Sequence, residues 1–249
     1  KLSSEGRSIL YISHKLEEIR ELCEKATVLR GGKVVATCNP RQETAKSLAE
    51  MMIGTSLTFA ERQEQDLGRD RLAVSNLTTV SRDPFGVDIR DVSFCVRAGE
   101  VLGIGGVAGN GQVELMEALI GEYITAAGSI RIDGEGVGAM GPTARRERGM
   151  CSVPEERLGH GAVPDMSLWE NTILSARTRK GMENNGFLNL QIAQDFADQV
   201  VAKFNVKTAG IGHAAKSLSG GNLQKFIVGR EILQAPTVLV IMQPTWGVD

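Results

Sequence analysis

The stretch GIGGVAGNGQVELMEALIG, residues 103–121, decides the fold. Within it, residues 106–113 read GVAGNGQV and have the glycine spacing of a phosphate-binding loop. The apolar run EVLGIGG predicts a buried strand before the loop, and VELMEALIG predicts a helix after it, with Val113 and Leu119 on the inward face. Strand, glycine loop and helix are the context in which backbone N–H groups bind phosphate at a helix N-terminus.

Two residues of this loop depart from the phosphate-binding pattern. Gln112 stands where such a loop carries lysine, and Val113 stands where it carries serine or threonine. A lysine charge at ~4 Å is worth about 4 kcal/mol at an effective dielectric constant of ~20, and glutamine lacks that charge. Valine offers no oxygen to a hard cation. Taken alone, the loop fits a nucleotide site, a damaged nucleotide site or an ordinary glycine-rich turn.

The composition is that of an ordinary globular protein, with 249 residues, 42% of them hydrophobic, and a formal net charge of −2. This charge gives no electrostatic reason to expect a nucleic acid as partner. The four cysteines are far apart and lack companion histidines at metal-ligand spacing, so we expect reduced thiols and no metal site. No apolar run approaches the ~18 residues of a membrane span. We expect the chain to be a fragment, with sequence missing at both ends.

The sequence before the glycine loop predicts two units joined by a linker. SILYISH, residues 8–14, is typical of a buried strand, and KLEEIRELCEK predicts an amphipathic helix. ATVLRGGKVVAT predicts a hairpin turning at Gly31-Gly32, and RQETAKSLAEMMIG predicts a helix ending at Gly54. A polar stretch without periodicity follows and indicates the linker. LAVSNLTTV and VDIRDVSFCVRAGE then alternate like antiparallel strands.

A second glycine motif, LSGGNLQK, spans residues 218–225. Two glycines after a serine at a helix N-terminus leave backbone N–H groups and the positive end of the helix dipole available to phosphate. The SGG pattern is common, and a simple capping loop is the alternative interpretation. A predicted strand follows this helix, and Met242 and Gln243 then stand where a nucleotide-binding strand carries Asp and Glu to hold Mg²⁺ and activate water. With Gln112 and Val113, four replaced groups together indicate that this loop does not hydrolyse nucleotide.

The motifs come in the order and spacing of an ATP-binding cassette nucleotide domain: the glycine loop, VPEERLGHG, LSGGNLQK and PTWGVD. Nearly the whole chain resembles the fused double-cassette ATPase subunits of bacterial simple-sugar importers of the ribose and galactose type. It is most similar to their nucleoside-importer branch. The resemblance implies an α/β fold of the P-loop NTPase type, with a mostly parallel sheet flanked by helices, an antiparallel β subdomain and a helical subdomain.

The resemblance also implies a domain organisation. Residues 1–56 resemble the C-terminal tail of a first cassette, with the tail motif YISHKLEEI…ATVLRGGKVV. Residues 57–70 correspond to the linker. Residues 71–249 resemble a second cassette that is truncated after the Walker B and D-loop region.

In this family two cassettes close head to tail, so each nucleotide lies between one glycine loop and the other cassette's LSGG segment. The resemblance implies that His14 contacts the γ-phosphate in the first cassette's site, although a histidine after a strand is by itself more typical of a capping or packing residue. ATP is the implied cofactor, with Mg²⁺ mainly at that first site. The residues implied to cap that same nucleotide are Ser219, Gly220 and Gly221.

The implied degenerate site comprises Gly106, Gly109, Asn110, Gly111, Gln112 and Val113, with Met242 and Gln243 as the degenerate Walker B end. Only backbone N–H groups remain there to hold nucleotide.

Four further residues are candidates for contacts. Glu155 in VPEER occupies the place of the family's Gln loop, which reaches both Mg²⁺ and the transmembrane partner, although a solvated charged loop is the alternative. Glutamate departs from the family pattern there and puts direct water positioning in doubt. Arg157 and the segment up to Trp169 are candidates for contacting a membrane subunit. Phe85 is a candidate for stacking on adenine, with core packing as the equal alternative.

The implied function is an ATPase subunit that drives uptake of a sugar or nucleoside. It would lie on the cytoplasmic face of the plasma membrane, bound to transmembrane permease subunits. An extracellular solute-binding protein would be an indirect partner. The cassettes would pair within one chain or between chains. One alternative is a soluble double-cassette protein acting on ribosomes, but the linker of about sixteen residues is short and no basic run is evident. The other alternative is an inactive pseudo-ATPase unit.

Overall fold

The computed structural model describes residues 3–56 and 66–245. The chain divides into two compact units, residues 1–64 and 65–249. Residues 246–249 of the predicted PTWGVD motif, and residues 57–65 of the predicted linker, lie outside the described residues. The assignment of these parts to two cassettes stays a prediction at this point.

The first unit combines helices with the predicted hairpin. Gly31 and Gly32 turn the hairpin with φ values of 57° and 77°, which glycine adopts without strain. Thr44 and Ser47 form a capping box at the start of the second helix, and Gly54 ends that helix in the left-handed region. The elements of this unit are α1 (Leu16–Leu22), β1 (Ala26–Arg30), β2 (Lys33–Cys38) and α2 (Ala45–Ile53), with short 3₁₀ turns at Ser3–Glu5 and Pro40–Gln42.

The second unit starts with an antiparallel sheet in the strand order β4-β3-β5-β6. Leu72, Val74 and Leu77 of β3 are buried, and they pack with Ile130 and Ile132 of β5 in one hydrophobic cluster. The alternation of Leu72 and Val74 predicts β3 correctly, and the register with β4 shifts between Val74 and Leu77. The strands are β3 (Asp70–Thr79), β4 (Ile89–Arg97), β5 (Ile130–Ile132) and β6 (Glu135–Gly136).

A parallel pair of strands, β7 (Met150–Val153) and β10 (Val238–Ile241), lies at the centre of this unit's functional motifs. The helix that follows the glycine loop, α3 (Gln112–Ile120), buries Leu115 and Leu119 in the same cluster as Met150 and Val238. The helix therefore packs against the parallel pair.

The helices at residues 168–176, 190–203 and 220–232 surround a second core that contains Phe226, Leu168 and Phe196. In the described part of the chain, no helix is both long and apolar enough to cross a membrane. The remaining elements are α4 (Pro142–Glu147), α5 (Leu168–Ala176), β8 (Glu183–Asn184), β9 (Phe187–Leu188), α6 (Leu190–Lys203), a 3₁₀ turn at Ala215–Ser217, and α7 (Gly220–Ile232).

Two apolar runs that the sequence predicts as buried strands are not strands in the structure. Residues 8–14 and 101–106 form no backbone hydrogen bond with another described residue. Ile12 and Val101 are 89% and 90% exposed. An extended segment becomes a strand only when its N–H and C=O groups pair with a neighbour, and the parallel sheet of the described residues contains only β7 and β10. Apolarity alone does not tell whether such a neighbour is present.

Gly121 ends α3 with a φ of 90°, and an added Cβ would lie 2.8 Å from the carbonyl oxygen of Met140. We expect Gly121→Ala to lower the free energy of unfolding by more than about 1 kcal/mol, because alanine is strained at positive φ and the methyl group also meets backbone. Urea titration measures the loss. Gly134→Ala is the matched control, since Gly134 has a φ of 84° but open space around it. Equal losses in the two variants would contradict the contribution from the Met140 contact.

Candidate nucleotide-binding site

The glycine loop lies directly before α3. Gly109 and Gly111 have φ values of 85° and 97°, a backbone conformation that other residues rarely adopt. Gly111 is buried, and a Cβ there would come within 3.0 Å of Ile89 Cδ1 in β4. No side chain caps the N-terminus of α3. The two glycines therefore give the loop left-handed backbone turns directly before α3, and phosphate binding by the loop stays a prediction.

The side chain of Gln112 folds back over this loop. Its Oε1 accepts a hydrogen bond of 3.1 Å from the backbone N–H of Asn110, and its Nε2 donates one of 3.1 Å to the carbonyl oxygen of Val107. A Cβ added at Gly106 would lie 2.6 Å from Gln112 Nε2, so the amide lies against Gly106.

The prediction that Val113 faces inward is wrong: it is 49% exposed, because it stands in the first turn of α3, ahead of the buried stretch that begins at Leu115.

An acidic side chain occupies the first turn of α3. Glu114 Oε1 accepts a hydrogen bond of 2.9 Å from the backbone N–H of Val87. Sequence reasoning missed Glu114, although an acid in the first turn of a predicted helix is a recognised sign of stabilisation by the helix dipole. In the same loop as Val87, Phe85 is 96% exposed. Core packing of Phe85 is therefore excluded, and stacking on adenine stays a prediction.

Met242 and Gln243 follow β10, and Glu155 follows β7, at the carboxyl end of the parallel pair. Val153 at the end of β7 is the register partner of Ile241 at the end of β10. The Met242 N–H donates a hydrogen bond of 2.9 Å to the Val153 carbonyl. The chain continues from both strands at their carboxyl ends, where open parallel sheets bind ligands. Gln243 is exposed, with a strained φ of 48°.

The LSGG motif forms the exposed start of α7, as predicted. Ser219 is the N-cap, and its hydroxyl accepts a hydrogen bond of 2.8 Å from Asn222 Nδ2 and a longer one of 3.5 Å from the Asn222 N–H. Gly220 is exposed and Gly221 is half-buried. An added Cβ at Gly220 would lie 2.9 Å from Arg157 Nη1, so the guanidinium of Arg157 lies against the motif. The sequence assigned Arg157 to partner binding and did not predict this contact.

The loop that contains Glu155 and Arg157 is anchored by hydrogen bonds to buried residues. Arg230 of α7 is buried and donates hydrogen bonds to the carbonyl oxygens of Gly161, at 2.8 Å, and Asn171, at 3.0 Å. Asn171 in turn bonds to both the N–H and the C=O of Val163. These contacts fix the loop to the same helix that begins at Ser219.

A buried carboxylate completes this anchor. Glu231 is fully buried and accepts hydrogen bonds from Arg230 Nε at 2.8 Å and from Arg146 Nη1 at 2.7 Å. Burial alone would raise the pKa of Glu231, but the two guanidinium groups hold this pKa below its usual value. Sequence reasoning missed these residues, and the adjacent Arg-Glu pair inside the apolar run FIVGREIL is the signal that could have indicated them.

Arg145 is a second buried cation that the sequence did not predict. It is 0% exposed and donates hydrogen bonds to the carbonyl oxygens of Leu119, Gly138 and Met140 at 2.7, 2.8 and 2.9 Å, and also to that of Ala118. Burial lowers its pKa to about 10, so it stays protonated at neutral pH. It fixes the C-terminal turn of α3 and thus supports the glycine loop from the far end of the helix.

The remaining predicted residues are placed as follows. His14 is exposed and lies in the first unit, just before α1. Trp169 lies in α5, half-buried against the core cluster of the helices, so this part of the segment predicted to contact a membrane subunit packs inward. A cleft of about 340 Å³ is lined by residues in and beside the antiparallel sheet, and one of about 450 Å³ is lined by residues of the first unit. None of the predicted site residues lines either cleft.

The chemistry around the glycine loop does not fit a divalent cation. Val113 and Met242 offer no oxygen at the two positions where a hard cation would be held. Within residues 3–56 and 66–245, no group of three or more His, Cys, Asp and Glu side chains could hold a metal ion.

A glycine loop at the start of α3, a parallel pair with polar residues at its carboxyl ends and a glycine motif at the start of α7 define a nucleotide-binding domain of the ATP-binding cassette class. The sequence profile of the ABC transporter family matches residues 89–245, and the chain belongs to this family. This finding confirms the predicted resemblance.

Curated relatives match over the whole chain. The nucleoside import ATP-binding protein NupA of Lactococcus lactis subsp. cremoris (strain MG1363) is 35% identical over 248 residues, which are 100% of this chain and 49% of the relative. The guanosine import ATP-binding protein NupO of Bacillus subtilis (strain 168) is 38% identical over 250 residues, 100% and 49% of the two chains. The chain thus spans about half the length of these relatives.

Solved structures confirm the predicted α/β fold. The ATP-binding cassette MJ0796, in a dimeric post-hydrolysis state bound to ADP and Pi, superposes with a TM-score of 0.59 at 18% identity, covering 72% of this chain and 76% of its own. A nucleotide-free ATP-binding cassette from an ABC transporter gives a TM-score of 0.54 at 19% identity, covering 72% and 71%.

Proposed function

We propose that this chain is part of an ATP-binding subunit that hydrolyses ATP to energise import of simple sugars or nucleosides. The nucleoside and guanosine import proteins described above, and a ribose import ATP-binding protein of Chelativorans sp. (strain BNC1) that is 35% identical over 250 residues, support this substrate range. In this proposal residues 1–56 are the tail of a first cassette, residues 57–70 are a linker, and residues 71–249 belong to a second cassette. Each cassette contributes to a site that the other completes.

The observation that carries the proposal is the contrast between the two glycine motifs. The start of α7 keeps an exposed Ser219 and Gly220, with the positive end of a 13-residue helix and the guanidinium of Arg157 beside them. The start of α3 has Gln112 and Val113 in place of the groups that bind a triphosphate and its cation. The chain is therefore suited to cap a triphosphate that another cassette holds.

The roles of the individual residues follow from this division. Ser219 donates its hydroxyl to the γ-phosphate, and the N–H groups of Gly220 and Gly221 stabilise the developing charge. His14, from the first cassette, contacts the same γ-phosphate. Mg²⁺ belongs mainly to that first site, where it would neutralise phosphate charge, since the donors near the second glycine loop do not fit it.

The partners in this proposal are transmembrane permease subunits, with an extracellular solute-binding protein acting through them. Glu155 and Arg157 lie on a loop that Arg230 ties to α7. A permease that contacts this loop would therefore act on the helix that begins at Ser219. We place the subunit on the cytoplasmic face of the membrane as a peripheral protein, without a nucleic-acid partner.

Fractionation of the complete subunit tests this function against the alternative of a ribosome-associated protein. We expect the subunit, expressed with its permease partners, to sediment with membranes, and its ATP turnover to rise when those partners are present. The matched control is the same subunit expressed without the permeases. This subunit should no longer sediment with the membranes. Sedimentation with ribosomes in both preparations would contradict the proposal.

A further inference from the structure

The glycine loop is occupied by a side chain of the same chain. The amide of Gln112 lies against Gly106 and spans the loop, with its Oε1 on the Asn110 N–H and its Nε2 on the Val107 carbonyl, both at 3.1 Å. A phosphate oxygen bound in such a loop accepts hydrogen bonds from the backbone N–H groups. Gln112 Oε1 is already the acceptor for one of these groups.

The charges near the glycine loop disfavour binding of an anionic polyphosphate. Glu114 lies in the first turn of α3, close to the positive end of this helix, and its Oε1 accepts a hydrogen bond from the Val87 N–H. No lysine or arginine is present in residues 103–121 to balance both Glu114 and an incoming polyphosphate. The helix N-terminus, which attracts phosphate in other loops, is thus already partly neutralised from within.

We propose that Gln112 closes the glycine loop as an internal substitute for phosphate, so that this loop excludes nucleotide. This inference rests on the proposed function only in taking the loop as the second cassette's phosphate loop. It goes beyond the absence of a lysine charge, since it assigns Gln112 a contact that competes with the ligand. The backbone N–H groups that the sequence leaves for weak binding are therefore not all available.

The test uses the 249-residue chain, which contains the glycine loop of residues 106–113. Equilibrium dialysis with labelled ATP is expected to detect no binding by the unaltered chain at millimolar concentration. Gln112→Ala removes both hydrogen bonds and should raise the affinity at least about tenfold, because a competing pair of exposed hydrogen bonds is lost. Gln112→Lys, which also adds a cation, should bind more tightly again.

Gln191→Ala is the matched control. Gln191 also lies in the first turn of a helix, but its Nε2 bonds to Asp195 at 2.8 Å in its own helix and not to a loop. This variant should bind as little ATP as the unaltered chain. Thermal melting of all four proteins verifies that they are folded.

Hydrogen exchange gives a readout that does not depend on ATP or on the transport function. The Asn110 N–H should exchange more slowly in the unaltered chain than in Gln112→Ala, while amides of α6 exchange equally in both. ATP binding by the unaltered chain that equals that of Gln112→Ala would overturn the inference. So would an Asn110 exchange rate that the substitution leaves unchanged. Neither result would contradict the separate proposal that Ser219 completes another cassette's site.

Discussion

ATP turnover by the complete subunit should fall about 100-fold or more when Ser219 is replaced by arginine. The hydroxyl that we propose donates to the γ-phosphate is lost, and a long side chain then stands at the exposed start of α7. Removal of one donor from a developing negative charge costs on the order of 100-fold or more in rate. The loss of the N-cap adds about 1 kcal/mol of destabilisation, which thermal melting would detect separately.

Ser217→Arg is the matched control for this substitution. Ser217 is also exposed and lies two residues earlier, but its hydroxyl donates to the Ala214 carbonyl at 2.7 Å in a 3₁₀ turn. Turnover should be close to normal in this variant. A similar loss in both variants would indicate that added charge at this surface, and not the hydroxyl of Ser219, is responsible.

The second large effect is expected at Arg230. Arg230→Met should lower the free energy of unfolding of the chain by about 3–5 kcal/mol, because it leaves Glu231 with one cationic partner fewer and the carbonyls of Gly161 and Asn171 without this donor. A loss of that size is a large part of the stability of an ordinary domain. The shift of the unfolding midpoint in urea measures it.

The same substitution at an exposed ion pair provides the comparison. Arg177 and Glu183 are 3.5 Å apart, with side chains 50% and 40% exposed. Arg177→Met should therefore cost less than about 1 kcal/mol. If the two variants lose the same small amount, the buried contacts of Arg230 do not hold the loop to α7, and the anchor described above is wrong.

The sequence predicts best those elements whose pattern is local. The Gly31-Gly32 hairpin, the helix ending at Gly54 and the helix beginning at Ser219 all depend on turn and cap residues that can be recognised within a few positions. The alternation in β3 likewise needs only one buried face. These predictions are confirmed because backbone conformation at such positions is set by the residues themselves.

The sequence fails where a feature depends on distant neighbours. Residues 101–106 are as apolar as a strand, but pairing decides whether they become one. Arg145 stands in the charged run RRER and resembles a solvated residue, but it is buried against the end of α3. Gln112 was recognised as the loss of a charge, and only the structure gives the direction of its amide.

The same limit applies to the candidate site. The motifs locate Ser219 and the glycine loop along the chain, and family resemblance assigns their roles. The proximity of Arg157 to Gly220 follows from folding of the loop after β7 and could not be read from a spacing of more than sixty residues. This contact joins the loop proposed for the permease with the motif proposed for the nucleotide.

The most direct measurement is ATP turnover by the complete subunit carrying either Ser219→Arg or Gln112→Ala, assayed side by side. Turnover should collapse in the first variant and survive in the second, since the opened loop and the strand end at Met242 and Gln243 still lack the groups that hold the cation and activate water. An equal loss in the two variants would contradict the division between a site that this chain completes and a loop that it keeps closed.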